Sequence, residues 1–351
     1  MENYSNDDNQ PYSGGIRWTI TILLCVAAIL LILLLFLYKG DEWTFFRGSS
    51  STVTAEYVSS IETTLGTTAE TTKAVPVYTQ APALTSEIAL AADLTNDKII
   101  YEQNADQITA PASLTKIVTA LIALEKYGDI LGSTYVTVPE EALRPFEGTI
   151  ASVVPLKAGE TVTMKDLLYC TLLPSACDAA NVIAYYYGNG NPQIFIDQMN
   201  RYVESLGCQN THFVNSHGLD SPEQTTTAKD MYLIAKAAIN TQDFMEIAEH
   251  TSYTVSKNGP DDPSRVYSTI ALMRSDSPYY FPYAKGIKTG STSQAGRCLI
   301  TTAEKDGQSF LIITMKAPYS SLDTETEKIL AAQIDSLHLL QWAFSCAGIT
   351  Y

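Results

Sequence analysis

Hydrophobic and polar positions divide the chain into a short apolar run, a polar stretch and a long segment of changing periodicity. Residues 18–38 contain no charged side chain, and their length suits a helix that crosses a membrane. Trp18 and Tyr38 stand at the two edges of this run, where amphipathic rings prefer the membrane interface. No small-residue cleavage site closes the run, so the pattern favours an uncleaved anchor over a signal peptide.

The sequence on either side of the apolar run shows no lasting helical or strand periodicity. Residues 1–17 are polar, and the stretch up to Pro82 is rich in Ser, Thr and Ala, which is typical of a tail and an extended linker. We therefore predict four segments. They are a tail over 1–17, a transmembrane anchor over 18–38, a Ser/Thr-rich linker over 39–82 and a folded domain over 83–351.

Within the folded domain the apolar period changes from two to 3.6 and back to two. Strands at both ends of the domain, with helices between them, predict one mixed α/β unit whose sheet is completed by bringing the chain ends together. The predicted elements are a hairpin around Asn96-Asp97, helices over 114–128, 167–173, 179–187 and 228–239, strands over 286–290, 298–303 and 310–315, and a closing helix over 337–344.

Composition excludes two classes of function. The formal net charge is −16 and the chain has no basic run, so nucleic acid is not expected as a partner. Only 4 histidines occur, none at the spacing of a paired ligand, and no Cys-x-x-Cys pair exists, so no zinc site is predicted. The 6 cysteines are scattered, unlike a disulfide framework, although one pair in an extracytoplasmic domain stays open.

Ser113 and Lys116 form the first motif with possible chemistry. They stand three residues apart at the start of a predicted helix, so they share one face. Free N–H groups at the helix start would stabilise an oxyanion beside Ser113. Apolar neighbours predict a buried Lys116 with a lowered pKa, whose neutral amine can take the Ser113 proton. Taken alone, this spacing is frequent by chance and is more simply explained by a capping serine beside a solvent-facing lysine.

Ser175 belongs to a second motif, followed by Cys177 and Asp178. One interpretation makes Ser175 the N-cap of a helix, with Asp178 as the acidic partner of a capping box. The other makes its hydroxyl a proton shuttle, and one hydroxyl can serve both roles.

A third motif, Lys288-Thr289-Gly290, falls on a predicted strand. Lys288 offers a positive charge and Thr289 a hydroxyl, while Gly290 would let a substrate backbone approach closely. The N–H group of Ser291 would be a second donor to an oxyanion. Taken alone, these residues also suit an ordinary edge strand.

Taken together and in this order, the three motifs resemble those of the low-molecular-mass penicillin-binding proteins, the D-alanyl-D-alanine carboxypeptidase family. The likeness covers residues 86–345, most of the predicted folded domain. Beyond the motifs, it includes the segments 111–120, 167–180, 215–220, 227–231 and 286–296.

The resemblance implies a fold, a reaction and a location. The fold would be an antiparallel sheet flanked by helices with a helical subdomain, of the β-lactamase and D,D-peptidase type. Substrates would be peptidoglycan stem peptides ending in D-Ala-D-Ala, β-lactams would also bind, and no metal or organic cofactor is implied. Such substrates lie outside the cytoplasm, so residues 1–17 would be cytoplasmic and the protein a single-pass protein of the cell membrane. The implied residue roles are Ser113 as nucleophile, Lys116 as general base, Ser175 as proton relay, and Cys177, Lys288, Thr289, Gly290 and Ser291 as substrate-binding residues.

The sequence departs from the family pattern in three ways. Cys177 stands where the family usually has Asn, and a thiol is a weaker donor and acceptor, although a small packing residue is an alternative. No Arg occurs over 319–327, where the family often has one that grips the terminal carboxylate. We therefore expect a weak grip, carried by Lys288 and Thr289. The family's C-terminal β-rich domain and amphipathic anchor do not follow, so the N-terminal span is expected to replace that anchor.

Three functions stay open at this point. The first is a D,D-carboxypeptidase, and the second is a D,D-endopeptidase or β-lactamase. No Glu-x-x-Leu-Asn sequence follows Ser175, which disfavours a class A β-lactamase. The third is a binder of wall peptides or penicillins whose catalytic activity is weakened because Cys177 stands in place of Asn.

Overall fold

The computed structural model describes residues 77–256, 263–320, 323 and 326–351. The predicted tail, the predicted membrane anchor and most of the predicted linker lie outside the described residues. Among the described helices, none combines the length and the apolar character that crossing a membrane requires.

A five-stranded antiparallel sheet forms the centre of the domain. The described residues contain nine strands, five of which form this sheet. They are β1 (Ile88–Asp93), β2 (Lys98–Gln103), β3 (Tyr135–Thr137), β4 (Thr161–Thr163), β5 (Ser252–Ser256), β6 (Pro263–Tyr267), β7 (Ala284–Thr292), β8 (Gly296–Lys305) and β9 (Gln308–Ala317). The central sheet has the order β2-β1-β9-β8-β7, while β3 with β4 and β5 with β6 form two small hairpins. Because β1 pairs with β9, the chain ends complete the sheet as predicted.

Helices cover both faces of this sheet. They are α1 (Thr115–Tyr127), α2 (Glu140–Leu143), α3 (Met164–Leu172), α4 (Cys177–Tyr187), α5 (Pro192–Ser205), α6 (Ala228–Ile239), α7 (Gln242–Ala248), α8 (Thr326–Ile329) and α9 (Ala331–Cys346). The centre of the helical layer is α1, which contacts α3, α4, α5 and α6, whereas α9 packs on β8 and β9. The predicted mixed α/β fold with an antiparallel sheet and a helical layer is confirmed.

The first strand is buried on both faces because the sheet lies between two cores. Ile88, Leu90 and Ala92 belong to the core that contains α1. The residues between them, Ala89 and Ala91, belong to the core beneath α9. Small side chains on that second face let the closing helix pack close to the sheet.

The segment before β1 is tied to the closing helix. Asp335 on α9 accepts hydrogen bonds from the backbone N–H and the hydroxyl of both Thr85 and Ser86, with distances of 2.6 to 3.2 Å. Further upstream, the ring of Tyr78 lies 5.7 Å from that of Trp342. Packing therefore begins before residue 83, within the stretch that we predicted as linker.

Candidate active site

Ser113 lies on a 3₁₀ turn (Ala112–Leu114) that leads directly into α1. The hydroxyl of Thr115 donates to the carbonyl of Ala112 at 2.8 Å and closes this turn. Ser113 is half-buried, whereas Lys116, on the first turn of α1, is completely buried. The predicted spacing therefore places the two side chains next to each other, with Ser113 partly exposed to solvent and Lys116 buried beneath it.

Lys116 has three hydrogen-bond partners. Its Nζ lies 2.9 Å from Ser113 Oγ, 3.4 Å from Cys177 Sγ and 2.5 Å from the carbonyl oxygen of His217. Burial lowers the pKa of Lys116, while Cys177 and Asp178 act in the opposite direction. A buried amine with a lowered pKa, in contact with a hydroxyl, is suited to accept that hydroxyl's proton.

Lys288 on β7 is a second completely buried lysine. Burial holds its pKa well below the ordinary value, and the nearby charge of Lys116 lowers this pKa further. Its Nζ donates to the carbonyl oxygen of Thr289 at 3.1 Å. Because the two lysines disfavour each other's charge, protonation of one opposes protonation of the other.

The loop between α5 and α6 holds Lys116 through a backbone carbonyl. Asn215 Oδ1 accepts hydrogen bonds from the N–H groups of His217 and Gly218, at 3.2 and 2.7 Å. These bonds fix the peptide whose carbonyl oxygen binds Lys116. The imidazole of His217 takes no part in that bond, since its Nδ1 accepts from Leu219 N–H, and burial lowers the pKa of His217 to about 3.

Two glycines allow close contact with the turn that carries Ser113. A Cβ on Gly218, whose φ is +87°, would lie 1.9 Å from the carbonyl oxygen of Ala112. A Cβ on Gly290 would lie 3.1 Å from the Cβ of Ala112. We predicted Gly290 as a point of close approach for substrate. In the structure, the turn that carries Ser113 packs against Gly290 where a side chain would otherwise lie. Gly290 also lines the cleft.

The capping interpretation of Ser175 is wrong. The N-cap of α4 is Ala176, and no side chain there bonds to the free N–H groups of the helix. The Asp178 carboxylate instead accepts hydrogen bonds from the backbone N–H groups of Val154 at 3.1 Å and Leu156 at 3.4 Å. These bonds anchor the loop that forms one wall of the cleft. Among the described residues, the hydrogen bonds of Lys116 and Lys288 go to groups other than Ser175, so the role of Ser175 as relay stays a prediction.

The predicted residues surround one cleft of about 750 Å³. Ser113, Ser175, Cys177, Thr289, Gly290 and Ser291 line it, and Lys116 and Lys288 lie directly behind this lining. All eight candidates therefore meet in one place. No disulfide joins the cysteines of the described residues.

Sequence reasoning missed Thr269 and Arg297. Thr269 Oγ1 lies 2.6 Å from Thr289 Oγ1, and both Thr269 and Arg297 line the cleft. The family pattern places an arginine over 319–327, and this sequence has none there. Arg297 is brought opposite Ser291 by the register of β7 and β8, a pairing that the sequence analysis did not predict.

Fold and site together define the class: a mixed α/β domain with a serine–lysine pair at the junction of a helix and a sheet. A family model described as D-alanyl-D-alanine carboxypeptidase matches residues 75–319. The chain belongs to this family, and the resemblance inferred from the motifs is confirmed.

Similarity to individual relatives supports this assignment. The chain is 31% identical over 257 residues to the D-alanyl-D-alanine carboxypeptidase DacC of Escherichia coli K12, covering 72% of this chain and 62% of that protein. It is 32% identical over 277 residues to DacD of Salmonella typhimurium, covering 77% and 65%. The chain thus spans less than two thirds of the length of these two relatives.

Solved structures show the same fold. The Streptomyces K15 DD-transpeptidase superposes with a TM-score of 0.67 at 26% identity, covering 76% of this chain and 100% of that chain. Penicillin-binding protein D2 of Listeria monocytogenes, in its ampicillin-bound form, superposes with a TM-score of 0.60 at 27% identity, covering 74% and 98%.

Proposed function

We propose that the protein is a serine D,D-carboxypeptidase that removes the terminal D-Ala from peptidoglycan stem peptides through an acyl-enzyme on Ser113. The observation that carries the proposal is the 2.9 Å contact between Lys116 Nζ and Ser113 Oγ, made by a completely buried lysine. Membership of the D-alanyl-D-alanine carboxypeptidase family supports the substrate. Likeness to an ampicillin-bound protein supports covalent capture of penicillins.

In the first half of the proposed reaction, neutral Lys116 takes the hydroxyl proton as Ser113 Oγ attacks the carbonyl carbon of the penultimate D-Ala. The N–H groups of Ser113 and Ser291 stabilise the oxyanion. As the peptide bond breaks, the leaving amine receives a proton through Ser175 and departs as D-Ala. In the second half, Lys116 takes a proton from water as the water oxygen attacks the ester carbonyl carbon. The bond from that carbon to Ser113 Oγ then breaks, Ser113 Oγ regains the proton from Lys116, and the shortened peptide leaves with a terminal carboxyl group.

The positions of the two lysines support a different role for each of them. Lys116 contacts the Ser113 hydroxyl, whereas Lys288 contacts the carbonyl of Thr289 on the strand that would bind the substrate. Burial and the neighbouring Lys116 hold the pKa of Lys288 well below its ordinary value. In the proposed reaction Lys288 therefore acts as a hydrogen-bond donor on the strand that would bind the substrate, while Lys116 acts as the base.

We also propose that residues 18–38 anchor the enzyme in the cell membrane, with the catalytic domain outside the cytoplasm. The support is the uncharged run with aromatic edges and the extracytoplasmic location of stem peptides. Adding a glycosylation acceptor site to the linker, or mapping its protease accessibility in intact cells, tests this orientation.

The proposed activity is tested by measuring D-Ala release from a peptide that ends in D-Ala-D-Ala. Ser113→Ala and Lys116→Ala should each lower kcat by about 1000-fold or more, since nucleophile and base act as one unit. Lys126→Ala is the matched control, because Lys126 is an exposed lysine near the other end of α1, and it should keep parental activity. Near-parental turnover by Lys116→Ala would rule out the proposed base.

A second candidate is a D,D-transpeptidase, in which an amine replaces water as acyl acceptor. The likeness to the Streptomyces K15 DD-transpeptidase favours it. Adding a glycine or D-amino acid acceptor and measuring the ratio of transfer to hydrolysis separates the two activities. Penicillin labelling without turnover of any peptide would instead identify a binding protein.

A further inference from the structure

Cys177 and Lys116 bring a thiol and a buried amine into direct contact. Lys116 Nζ lies 3.4 Å from Cys177 Sγ, and both side chains are buried. Lys116 belongs to the first turn of α1 and Cys177 is the first residue of α4, two helices that pack on each other. The other partners of the amine are oxygen atoms, on Ser113 and His217. Among its described partners, the sulfur is therefore the atom that can be oxidised.

The position of this thiol favours a small oxidant. Cys177 lines the cleft together with Ser113, but its exposed fraction is only 2%. Hydrogen peroxide, which is close to water in size, fits such an opening better than a bulky thiol reagent does. At the first residue of α4, the positive end of the helix stabilises the negative charge that develops on an attacking sulfur.

Peroxide can join the thiol and the amine in two steps. In the first, Cys177 Sγ attacks one peroxide oxygen, the O–O bond breaks, and the departing hydroxide takes the thiol proton and leaves as water, so that a sulfenic acid remains. In the second, neutral Lys116 Nζ attacks this sulfur, an S–N bond forms and the S–O bond breaks. The released hydroxide takes a proton from the amine and leaves as a second water. The sulfur has lost two electrons, the peroxide has gained them, and the product is a sulfenamide.

The surroundings of Lys116 favour the second step. The amine must be neutral to attack the sulfur, and burial lowers the pKa of Lys116, whereas Cys177 raises this pKa. A sulfenic acid is uncharged, so oxidation of the thiol removes one contribution that holds the proton on the lysine. Because the two atoms are already in contact, the S–N bond can form without rearrangement of the helices.

We propose that peroxide joins Cys177 to Lys116 in a reversible sulfenamide cross-link that switches off the activation of Ser113. A sulfenamide nitrogen is a weaker base than an amine and is tied to α4, so it cannot take the serine proton. A thiol reductant reverses the bond: its sulfur attacks Cys177 Sγ, the amine leaves with a proton, and a second thiol then releases Cys177 from the mixed disulfide. The switching effect rests on the proposed function, since it requires Lys116 as the base, whereas the cross-link itself does not.

The test treats the full chain with hydrogen peroxide and follows both the covalent product and the rate of penicillin acylation. Digestion without a thiol reductant, followed by mass spectrometry, should show the peptide of Cys177 joined to the peptide of Lys116, with a mass two hydrogen atoms below their sum. The acylation rate should fall by about 10-fold or more, because the base is lost. Addition of dithiothreitol should restore both the separate peptides and the rate.

Three variants serve as controls, each compared with its own untreated sample. Cys177→Ser should acylate at the same rate before and after peroxide. Cys208→Ser removes a cysteine whose thiol donates to the carbonyl of Asp230, and it should stay as sensitive as the parent. In Lys116→Arg, Cys177 should gain oxygen without forming the cross-link, which the mass spectrum shows even if this variant does not acylate.

Several outcomes would overturn the proposal. They are a parent in which Cys177 gains only oxygen or stays unmodified, a disulfide from Cys177 to Cys298, a cross-link to Lys288 in place of Lys116, and unchanged acylation by the cross-linked protein. A cross-link between Cys177 and Lys116 in a protein that neither acylates nor releases D-Ala before oxidation would uphold the modification and contradict only the proposed catalytic function.

Discussion

At the scale of single residues, the protonation of Lys116 is set by opposing contributions. Burial lowers its pKa and the neighbouring Cys177 and Asp178 raise it. Lys288 is also completely buried, and the charge of Lys116 together with this burial holds the pKa of Lys288 well below its ordinary value. The serine can be activated only while Lys116 is neutral, so the acylation rate must fall as the pH falls through the pKa of Lys116.

Replacing Cys177 should move this pH dependence in a defined direction. Because Cys177 raises the pKa of Lys116, Cys177→Asn lowers it and keeps the base neutral to lower pH. The acid limb of the acylation rate against pH should shift to lower pH, and the rate at neutral pH should rise. The measurement is the second-order rate constant of penicillin acylation across pH. Cys208→Asn, outside the cleft, controls for loss of a cysteine, and an unchanged limb in Cys177→Asn would show that the thiol does not act on Lys116.

The residues predicted from sequence are those whose geometry is local. Ser113 and Lys116 meet because three residues separate them on one helical turn, and this spacing can be read directly. Arg297 and Thr269 could not be found the same way, since their positions depend on strand register and on a loop that folds back. The carbonyl of His217 leaves no side-chain signal at all, because any residue carries such a group.

At the scale of elements, the site depends on how closely β7 and the α5–α6 loop approach the turn of Ser113. The loop peptide at Gly218 touches the carbonyl of Ala112, and Gly290 on β7 touches its side chain. Bonds from Asn215 to the N–H groups of the same loop keep it in place. The distance between nucleophile and base is therefore maintained by elements from three parts of the chain.

Gly218→Ala tests this close contact. The added Cβ would lie 1.9 Å from the carbonyl oxygen of Ala112, so the loop or the turn must move. A displacement of about 1 Å at a reacting group can lower the rate about 100-fold, and we expect a loss of this order in penicillin acylation. Gly190→Ala is the matched control, because its φ of +90° is equally strained but nothing lies within 4 Å. Equal acylation by the two variants would show that the contact at Gly218 does not position the site.

The helices and strands differ in how strongly the sequence pattern predicts them. The helix α5 was missed although its signals were present: Asn191 accepts the N–H of Gln193 as an N-cap, Pro192 follows, and Phe195, Met199 and Val203 are buried at four-residue spacing. By contrast, β3 and β4 have three residues each, which is too short for a period of two to be recognised.

At the scale of the whole molecule, the first and last segments of the folded domain hold the sheet and its covering helix together. The pairing of β1 with β9 closes the sheet, and Asp335 on α9 binds the segment just before β1. A buried carboxylate needs such donors, since without them it would have neither water nor hydrogen bonds.

Two truncated proteins test where the folded unit begins. A protein starting at Val77 retains Tyr78, Thr85 and Ser86, and it should label with penicillin as the full chain does. A protein starting at Glu87 loses all donors to Asp335, and we expect it to be destabilised by about 2 kcal/mol or more, because a buried charge is left unpaired. Urea unfolding measures the difference. Equal stability of the two proteins, or loss of labelling in a folded protein that starts at Val77, would contradict this account.

The central claim is that Ser113, activated by Lys116, forms the acyl-enzyme. Incubation of the full chain with penicillin, followed by proteolysis and mass spectrometry, tests it most directly. We expect a single adduct with the mass of one penicillin on the peptide that contains Ser113, and no adduct in Ser113→Ala. An adduct on another residue, or labelling that persists in Ser113→Ala, would contradict it.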